Sequence, residues 1–205
     1  MSKYKECSSS VSSLIDGRER NGVKMKVTLP LTREVLESVQ IGDVLELTGD
    51  IYTARDAAHA RLYEAICKGE KLPLDLKGKI IFYCGPCPAG PGRVIGPLGP
   101  TTSARMDPYM EAMFQQGMVA AIGKGDRAPY VAELCKKYKG LYLLGVGGAA
   151  ALCANAVKEV EEIAYPDLGT ESIKRYYVED FKVIVGIDTQ GRTIQEENIP
   201  KYRKR

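Results

Sequence analysis

The residues best suited to chemistry lie in one stretch, 96–109, which reads GPLGPTTSARMDPY. Two Gly-Pro pairs are followed by three hydroxyl side chains, those of Thr101, Thr102 and Ser103. A helix is predicted over residues 104–116, and the guanidinium of Arg105 lies near its start. The first amides of a helix lack intrahelical partners and carry partial positive charge, so they favour an anion. One side-chain oxygen is enough to cap a helix. Three hydroxyls and a guanidinium together therefore predict an anion-binding site.

Two further cations lie at other predicted strand-to-helix junctions. Arg55 precedes a predicted helix that Thr53 or Asp56 caps, and Lys124 stands between two glycines, where the backbone can approach a ligand closely. Neighbouring strand ends share one crevice at the edge of a sheet. Three cations and two hydroxyls suit a small polyanion such as a dicarboxylate. The side chains expected to meet around it are Arg55, Thr101, Thr102, Arg105 and Lys124.

The groups that would transfer protons are missing from this set. The only histidine in the sequence is His59, one turn into a predicted helix, and neither paired carboxylates nor a metal-ligand cluster accompany it. The sequence therefore predicts half of an active site.

Composition narrows the class of protein. The chain has 205 residues, 44% of them hydrophobic, which is enough for one good-sized domain. Its 29 basic and 26 acidic residues nearly balance, with no basic block before the last residues, so no nucleic-acid partner is expected. No apolar stretch is long enough to span a bilayer and the first residues lack a signal-peptide core, so we expect a cytoplasmic protein without a membrane partner.

Six cysteines occur without a small-scaffold disulfide pattern, and two of them form the sequence CGPC, residues 84–87. This is the thioredoxin-type redox motif, in which a helix begins at the first cysteine and stabilises its thiolate. Here PAGPG follows, which cannot continue as a helix. Structural, reduced thiols are therefore favoured over a thiol oxidoreductase, and zinc is disfavoured because no second ligand pair exists.

A second alternative is a nucleotide-binding oxidoreductase that uses residues 145–150. Their sequence, GVGGAA, follows a predicted strand and precedes a predicted helix, as in the dinucleotide-binding fingerprint. The acid expected about twenty residues later would be Asp167, which stands after a Tyr-Pro pair rather than at a clean strand end. The glycines serve equally well for close packing of a helix on a sheet.

The pattern as a whole predicts an α/β fold. Three successive strand-turn-helix junctions, near Thr101, Lys124 and Gly145, favour helices packed on a mostly parallel central sheet, with β-rich segments before and after forming an additional layer. Residues 1–24 are polar and serine-rich and are predicted to be a flexible extension, with the domain over 25–193 and a polar basic tail over 194–205.

Five segments together resemble one protein family. They read IYTARDAAHARL (51–62), GPTTSARMDPY (99–109), IGKGDR (122–127), GVGGAAAL and EIAYPDLGTESI. They are similar to the carboxyl-terminal domain of class I iron-sulfur fumarases, and to the separate β subunit of two-subunit fumarases and L-tartrate dehydratases. The resemblance covers about residues 25–193, and we expect no counterpart for the residues before Met25.

The resemblance implies a swivelling β/β/α domain like the mobile domain of aconitase. It also implies a [4Fe-4S] cluster held by three cysteines of a partner α subunit, in an α2β2 assembly. Cys84 and Cys87 do not match those ligands. The positions that match substrate-binding residues are the five expected to meet, and Thr101 also matches a proposed proton-transfer residue. The implied reaction is hydration of fumarate to L-malate, with L-tartrate dehydration as the alternative.

Overall fold

The computed structural model of the chain describes residues 22–203. These residues form seven strands, six α-helices and two 3₁₀ segments, so the predicted α/β class is confirmed. The strands are β1 (Lys24–Thr28), β2 (Val44–Thr53), β3 (Ile80–Phe82), β4 (Ala120–Gly123), β5 (Leu141–Gly145), β6 (Val157–Ala164) and β7 (Ile173–Ile187). The α-helices are α1 (Arg33–Ser38), α2 (Asp56–Lys68), α3 (Met110–Gln115), α4 (Pro129–Tyr138), α5 (Ala150–Ala156) and α6 (Ile194–Tyr202). The 3₁₀ segments are Ser103–Tyr109 and Pro166–Glu171.

The first five strands are parallel to one another and pair in chain order, as predicted for the central sheet. Strand β7 runs antiparallel to β2, β5 and β6. Because β7 pairs with both β2 and β5, it closes strands β2, β3, β4, β5 and β7 into a ring, with β1 and β6 added at its sides.

All seven strands belong to one sheet, so the additional β-rich layer predicted from the segments before and after is part of this sheet rather than a separate one. Strand β7 is 15 residues long. That length is what lets β7 reach β2 along most of its course and β5 at its end.

Both faces of the ring are buried. One face points into the interior of the ring, to which each of the five strands contributes a residue: Leu45, Phe82, Ile122, Leu143 and Val183. The other face packs under α2, α3 and α4 and contributes Tyr52, Ile81, Ala121, Tyr142 and Ile187. Burial on both faces explains why the strands read as continuous apolar runs, such as KIIFY, rather than as alternating patterns.

The helix predicted over 104–116 is present only in part. Residues Ser103–Tyr109 form a 3₁₀ segment, and α3 follows from Met110 to Gln115. Pro108 lies inside the 3₁₀ segment; it has no N–H to donate and disfavours α conformation in the residue before it. Helix α4 likewise begins at a proline, Pro129, which is well suited to the first position of a helix.

Both predicted tails differ from the structure where it describes them. Of the extension predicted over 1–24, residues 1–21 lie outside the described part, whereas Lys24 already belongs to β1. The predicted tail over 194–205 begins with α6, whose cap Thr193 accepts a hydrogen bond from the Glu196 amide. Within residues 22–203, no helix combines the length and apolar character needed to cross a membrane.

Candidate functional site

The candidate site lies where strands β2, β3 and β4 end. Arg55 follows β2 and is the N-cap residue of α2, and Lys124 follows β4. Thr101 lies beside both β3 and β4, because its amide donates to the Tyr83 carbonyl (2.7 Å) and its carbonyl accepts from the Lys124 amide (3.3 Å). Thr102 and Lys124 form a parallel bridge. The predicted crevice therefore brings these segments together.

One carboxylate lies between the two arginines of the site. Arg105 Nε lies 3.2 Å from Asp56 Oδ1, and Arg55 Nη2 lies 3.6 Å from Asp56 Oδ2. Arg105 Nη2 also donates to Thr101 Oγ1 over 2.5 Å. Arg55 and Arg105 thus lie within reach of a single carboxylate, which in this structure is the protein's own, and Thr101 is connected to it through Arg105.

Arg55 is the most enclosed of the three cations, with 23% of its side chain exposed. Its Nε is buried without a hydrogen-bond partner among the described residues, and its Nη2 lies 3.3 Å from Glu171 Oε1. Gly85 lies against the guanidinium: a Cβ at that position would be 2.8 Å from Arg55 Nη1. A buried donor without a partner is costly, which indicates that the position of Arg55 is not set by stability alone.

Glu171 belongs to the site although the sequence did not predict it. Its Oε2 accepts a hydrogen bond from the Ala57 amide over 3.2 Å, so it caps α2 from 114 residues away. The predicted caps do not serve this role, since Thr53 bonds Ser172 and Lys174 instead, and no side-chain cap bond is made at Arg55. No local pattern could have identified a cap at that sequence distance.

The Lys124 side chain is exposed and forms no ion pair within the described part of the chain, so it is available to a ligand. Its backbone is fixed by Ser103, whose Oγ accepts from the Lys124 amide (3.0 Å) and whose amide donates to the Lys124 carbonyl (3.1 Å). Gly125 has a φ of +80°, which favours glycine. The close approach predicted for a ligand at Gly123 is instead made by Ser103, because a Cβ at Gly123 would lie 1.8 Å from Ser103 Oγ.

Two details of the predicted anion site are corrected. Ser103 is fully buried, and its hydroxyl bonds protein groups rather than facing the crevice. The segment that follows Thr102 is a 3₁₀ turn, and its first amide is already bonded to Lys124. Anion binding here therefore depends on side chains rather than on the amides and dipole of a long helix. Thr102 is exposed and makes no side-chain cap bond.

His59 is buried beside the site as a neutral imidazole. Burial lowers its pKa from 6.5 to about 4. Its Nδ1 lies 3.0 Å from the Arg55 carbonyl, which can only accept, so Nδ1 carries the proton. The rings of Tyr83 and Tyr109 flank it, and its Nε2 has no partner in the described residues. His59 contacts the Arg55 backbone and is not hydrogen-bonded to the five predicted side chains, so it supplies no proton to them here.

The CGPC segment does not have the geometry of a redox site. Cys84 pairs with Pro100 in an isolated bridge, and burial raises the pKa of its thiol well above the usual range. No helix begins at Cys84, and Cys87 is exposed. A reactive thiol needs a depressed pKa, so this arrangement favours structural cysteines.

Of the glycines in residues 145–150, Gly145 serves packing, whereas nothing lies within 4 Å of a Cβ at Gly147 or Gly148. A Cβ at Gly145 would lie 3.1 Å from Pro100 Cγ, so this glycine lets the loop of the site approach β5. Asp167, the acid that a dinucleotide site would need, lies in the second 3₁₀ segment and is paired with Arg61 through both carboxylate oxygens. The geometry therefore offers no ribose-binding acid at a strand end.

Comparisons with known proteins point to one family. The family model described as Fumarase C-terminus matches residues 3–198, so the expectation that the residues before Met25 have no counterpart is wrong. The chain is 37% identical over 188 residues to the anaerobic class I fumarate hydratase of Escherichia coli, covering 89% of this chain and 34% of that protein. It is 36% identical over 180 residues to fumarate hydratase 2 of Leishmania major, covering 86% of this chain and 32% of that one. It is 37% identical over 188 residues to the L(+)-tartrate dehydratase subunit beta of Escherichia coli, covering 89% of this chain and 92% of that subunit.

Proposed function

The chain belongs to the fumarase C-terminus family, and from this membership we propose that it is the β subunit of an iron-sulfur hydro-lyase. The reaction proposed is the reversible hydration of fumarate to L-malate. The observation that carries the proposal is that Arg55 and Arg105 share one carboxylate position, with Thr101 bonded to Arg105 and Lys124 on the adjoining strand end. This arrangement suits a ligand with two carboxylates.

Each proposed role follows from a contact. Arg55 and Arg105 bind one substrate carboxylate in place of Asp56, because guanidinium groups match carboxylates in geometry and charge. Lys124 is the free cation for the second carboxylate, and Thr102 is the exposed hydroxyl beside it. Fixed cations also stabilise the negative charge that develops when the carbon beside a carboxylate loses its proton.

Thr101 is proposed as both a binding group and a catalytic group. Its hydroxyl oxygen accepts from Arg105, which leaves its own proton free to donate. A cation bonded to that oxygen also stabilises the oxygen if the proton leaves, since an opposite charge nearby favours the ionised form. Proton transfer at this atom is the part of the proposal that depends most on the Arg105 contact.

The described residues of this chain do not fit a [4Fe-4S] cluster as its own cofactor. Cluster ligands are thiolates, whereas the Cys84 thiol is buried with a raised pKa and no group of three possible metal ligands occurs among the described residues. We therefore place the cluster on the partner, and the roles proposed for this chain are confined to binding, orientation and proton transfer.

The share of each relative that the chain matches supports the proposal of a partner subunit. The chain spans about a third of the length of the fumarate hydratases it matches, and 92% of a protein named as a subunit beta. The remaining two thirds of those fumarate hydratases would correspond to an α subunit, in an α2β2 assembly. Closure of this domain onto that subunit, as in a swivelling domain, would complete the half-site described above. A cytoplasmic location stays a prediction.

L-tartrate dehydration is the second candidate, because the tartrate dehydratase subunit matches over nearly its full length. The experiment is anaerobic co-expression of the chain with a polypeptide equivalent to the missing two thirds, assayed on L-malate, fumarate and both tartrate enantiomers. Activity is expected only when both polypeptides are present, and with malate and fumarate as preferred substrates. Activity of this chain alone after cluster reconstitution would refute the subunit assignment, and activity on L-tartrate only would select the second candidate.

A further inference from the structure

The Asp107–Arg127 pair is the most deeply buried ion pair in the described part of the chain. The side chains are 5% and 1% exposed, and Arg127 Nε donates to Asp107 Oδ1 over 2.5 Å. The other oxygen, Asp107 Oδ2, accepts from the Ala128 amide over 2.8 Å. Replacing a buried ion pair with apolar residues often leaves stability unchanged or higher, so such a pair is weak evidence for a stabilising role. Its position in the fold indicates another purpose.

The Arg127 guanidinium lies between two tyrosine rings. Its Cζ is 4.6 Å from the centroid of Tyr142 and 5.6 Å from that of Tyr83. The Tyr142 hydroxyl is 3.0 Å from both Ser103 Oγ and the Gly125 carbonyl. Because the carbonyl can only accept, the tyrosine proton is directed there, and Ser103 can give its own proton to the tyrosine oxygen. The contact with Arg127 therefore fixes the Tyr142 ring, and the hydroxyl of that ring in turn bonds Ser103 and Gly125.

The contacts connect the two loops that carry the candidate site. Ser103 bonds the Lys124 backbone in both directions, and four residues later Asp107 bonds the segment after Lys124 through Arg127 and Ala128. Arg105 lies midway between these two anchors, on the short 3₁₀ segment. The anchors on both sides of Arg105 thus fix its backbone relative to that of Lys124.

We propose that Asp107 and Arg127 are positioning residues, which set the distance between the Arg105 and Lys124 cations so that both carboxylates of one ligand are held at once. Neither residue needs to contact the ligand. The inference rests on the proposed dicarboxylate site, and it adds a requirement that binding depends on this distance as well as on the charges themselves.

The first test measures the local stability of the two loops without any ligand, so its result does not depend on the proposed function. Amide hydrogen exchange is compared in the wild-type chain, in Asp107→Asn and in Asp43→Asn. Asp43 is a matched control, since it is also a buried carboxylate that accepts backbone amides, from Val23 and Gln40, but it lies at the opposite end of β2 from the site. Asp107→Asn is expected to raise exchange by about tenfold over residues 103–109 and 124–128 relative to the strands of the ring. Equal acceleration in the strands, as expected for a merely structural role, would overturn the inference.

The second test measures function. L-malate and fumarate affinities of the chain are measured for Asp107→Asn, Arg127→Lys and the Asp43→Asn control. We expect about tenfold weaker binding of both dicarboxylates in the first two variants, with acetate binding unchanged, because one carboxylate needs no fixed distance. Wild-type dicarboxylate affinity in either variant would contradict a positioning role. Absence of dicarboxylate binding in the wild type would instead contradict the proposed function and leave the exchange test to decide.

A double variant covers the case in which Asp107→Asn alone does not fold. Asp107→Asn combined with Arg127→Met removes both charges, keeps an acceptor for the Ala128 amide, and leaves no buried charge unpaired. We expect this variant to fold but to keep the weakened dicarboxylate binding, because methionine has no planar group to hold Tyr142. Recovery of full binding together with folding would show that the pair is dispensable for the site and would overturn the proposal.

Discussion

Arg105 donates a hydrogen bond to the hydroxyl of Thr101, four residues before it, with 2.5 Å between Nη2 and Oγ1. The same guanidinium reaches Asp56 through Nε at 3.2 Å. Arg105 therefore orients the hydroxyl proposed for proton transfer while it faces a carboxylate position. Loss of the planar guanidinium of Arg105 should therefore affect both the orientation of the Thr101 hydroxyl and the binding of a carboxylate.

Arg105→Lys is expected to cost more than its conserved charge suggests. Lysine is a point charge that cannot bond Thr101 and a carboxylate in one plane, so the loss should be on the order of 2 kcal/mol in kcat/KM. The measurement is the specificity constant of the complex with the α subunit. A lysine variant with an unchanged specificity constant would remove Arg105 from the site.

Substitutions of Thr101 separate its two roles. If the hydroxyl transfers a proton, Thr101→Val should lower kcat by about a hundredfold or more with little change in KM, and Thr101→Ser should retain most activity. If the hydroxyl only binds, Thr101→Val should instead raise KM by the value of one charge-assisted hydrogen bond, about 1.5 to 3 kcal/mol. We expect the fall in kcat. A raised KM at constant kcat would make Thr101 a binding residue only.

Gly85→Ala should displace the Arg55 guanidinium while leaving residue 55 an arginine. The added Cβ would lie 2.8 Å from Arg55 Nη1, and a flexible guanidinium can move away at little cost in stability. Dicarboxylate affinity is then expected to fall about fivefold, roughly 1 kcal/mol, because Arg55 leaves its carboxylate position. Gly90→Ala is the matched control in the same loop, since nothing lies within 4 Å of its Cβ. Equal affinities in the two variants would place Arg55 outside the site.

The buried imidazole of His59 predicts a specific dependence of stability on pH. Its folded pKa is about 4 against 6.5 in the unfolded chain, so between these values the unfolded state binds more protons and stability falls as pH is lowered. We expect the wild type to lose about 2 kcal/mol between pH 7 and pH 5 through this group, and His59→Gln to lose correspondingly less. Denaturant unfolding at the two pH values measures the difference.

A direct titration checks the same prediction without a variant. The sequence contains a single histidine, so the imidazole proton signals in an NMR spectrum are unambiguous. They should stay at the neutral position when the pH is lowered from 7 to 5. Titration with a midpoint near 6.5 would show that His59 is accessible rather than buried.

Thiol labelling tests the structural assignment of CGPC. Cys67 and Cys87 are exposed, whereas Cys84, Cys135 and Cys153 are buried, and burial raises the pKa of Cys135 to about 12. Iodoacetamide under native conditions should therefore modify Cys67 and Cys87 and spare Cys84, Cys135 and Cys153, as measured by mass spectrometry of peptides. Preferential modification of Cys84, together with insulin disulfide reduction that Cys84→Ser abolishes, would favour a thiol oxidoreductase.

The sequence was informative where function is carried by local pattern. Arg55 and Lys124 lie at strand ends as predicted, because each follows a segment that forms a buried parallel strand, whereas Thr101 reaches the ends of β3 and β4 through its backbone hydrogen bonds. Patterns that depend on a single residue were harder to interpret: Pro108 converts part of the predicted central helix into a 3₁₀ segment. The sequence position of a residue did not reveal whether its side chain would face the crevice, as with buried Ser103.

Features created by distant segments were not predictable. Glu171 caps α2 from 114 residues away, and β7 closes the ring by pairing with strands on both sides. The Asp107–Arg127 pair also joins residues 20 positions apart, with α3 and β4 between them, and each residue alone looks like an ordinary surface charge. Such contacts depend on the register of the sheet, which the periodicity of single segments does not determine.

The most direct measurement of dicarboxylate binding is an NMR titration of the ¹⁵N-labelled chain with fumarate and L-malate, with acetate at equal ionic strength as the control. We expect both dicarboxylates to shift the amide signals of residues 53–57, 101–106 and 123–126, and acetate to do so only weakly. Lys124→Met should reduce the response to dicarboxylates towards that of acetate. Shifts confined to residues 84–87 or 145–150, or a response that does not distinguish dicarboxylates from acetate, would contradict the claim that this chain supplies the dicarboxylate-binding half of a hydro-lyase.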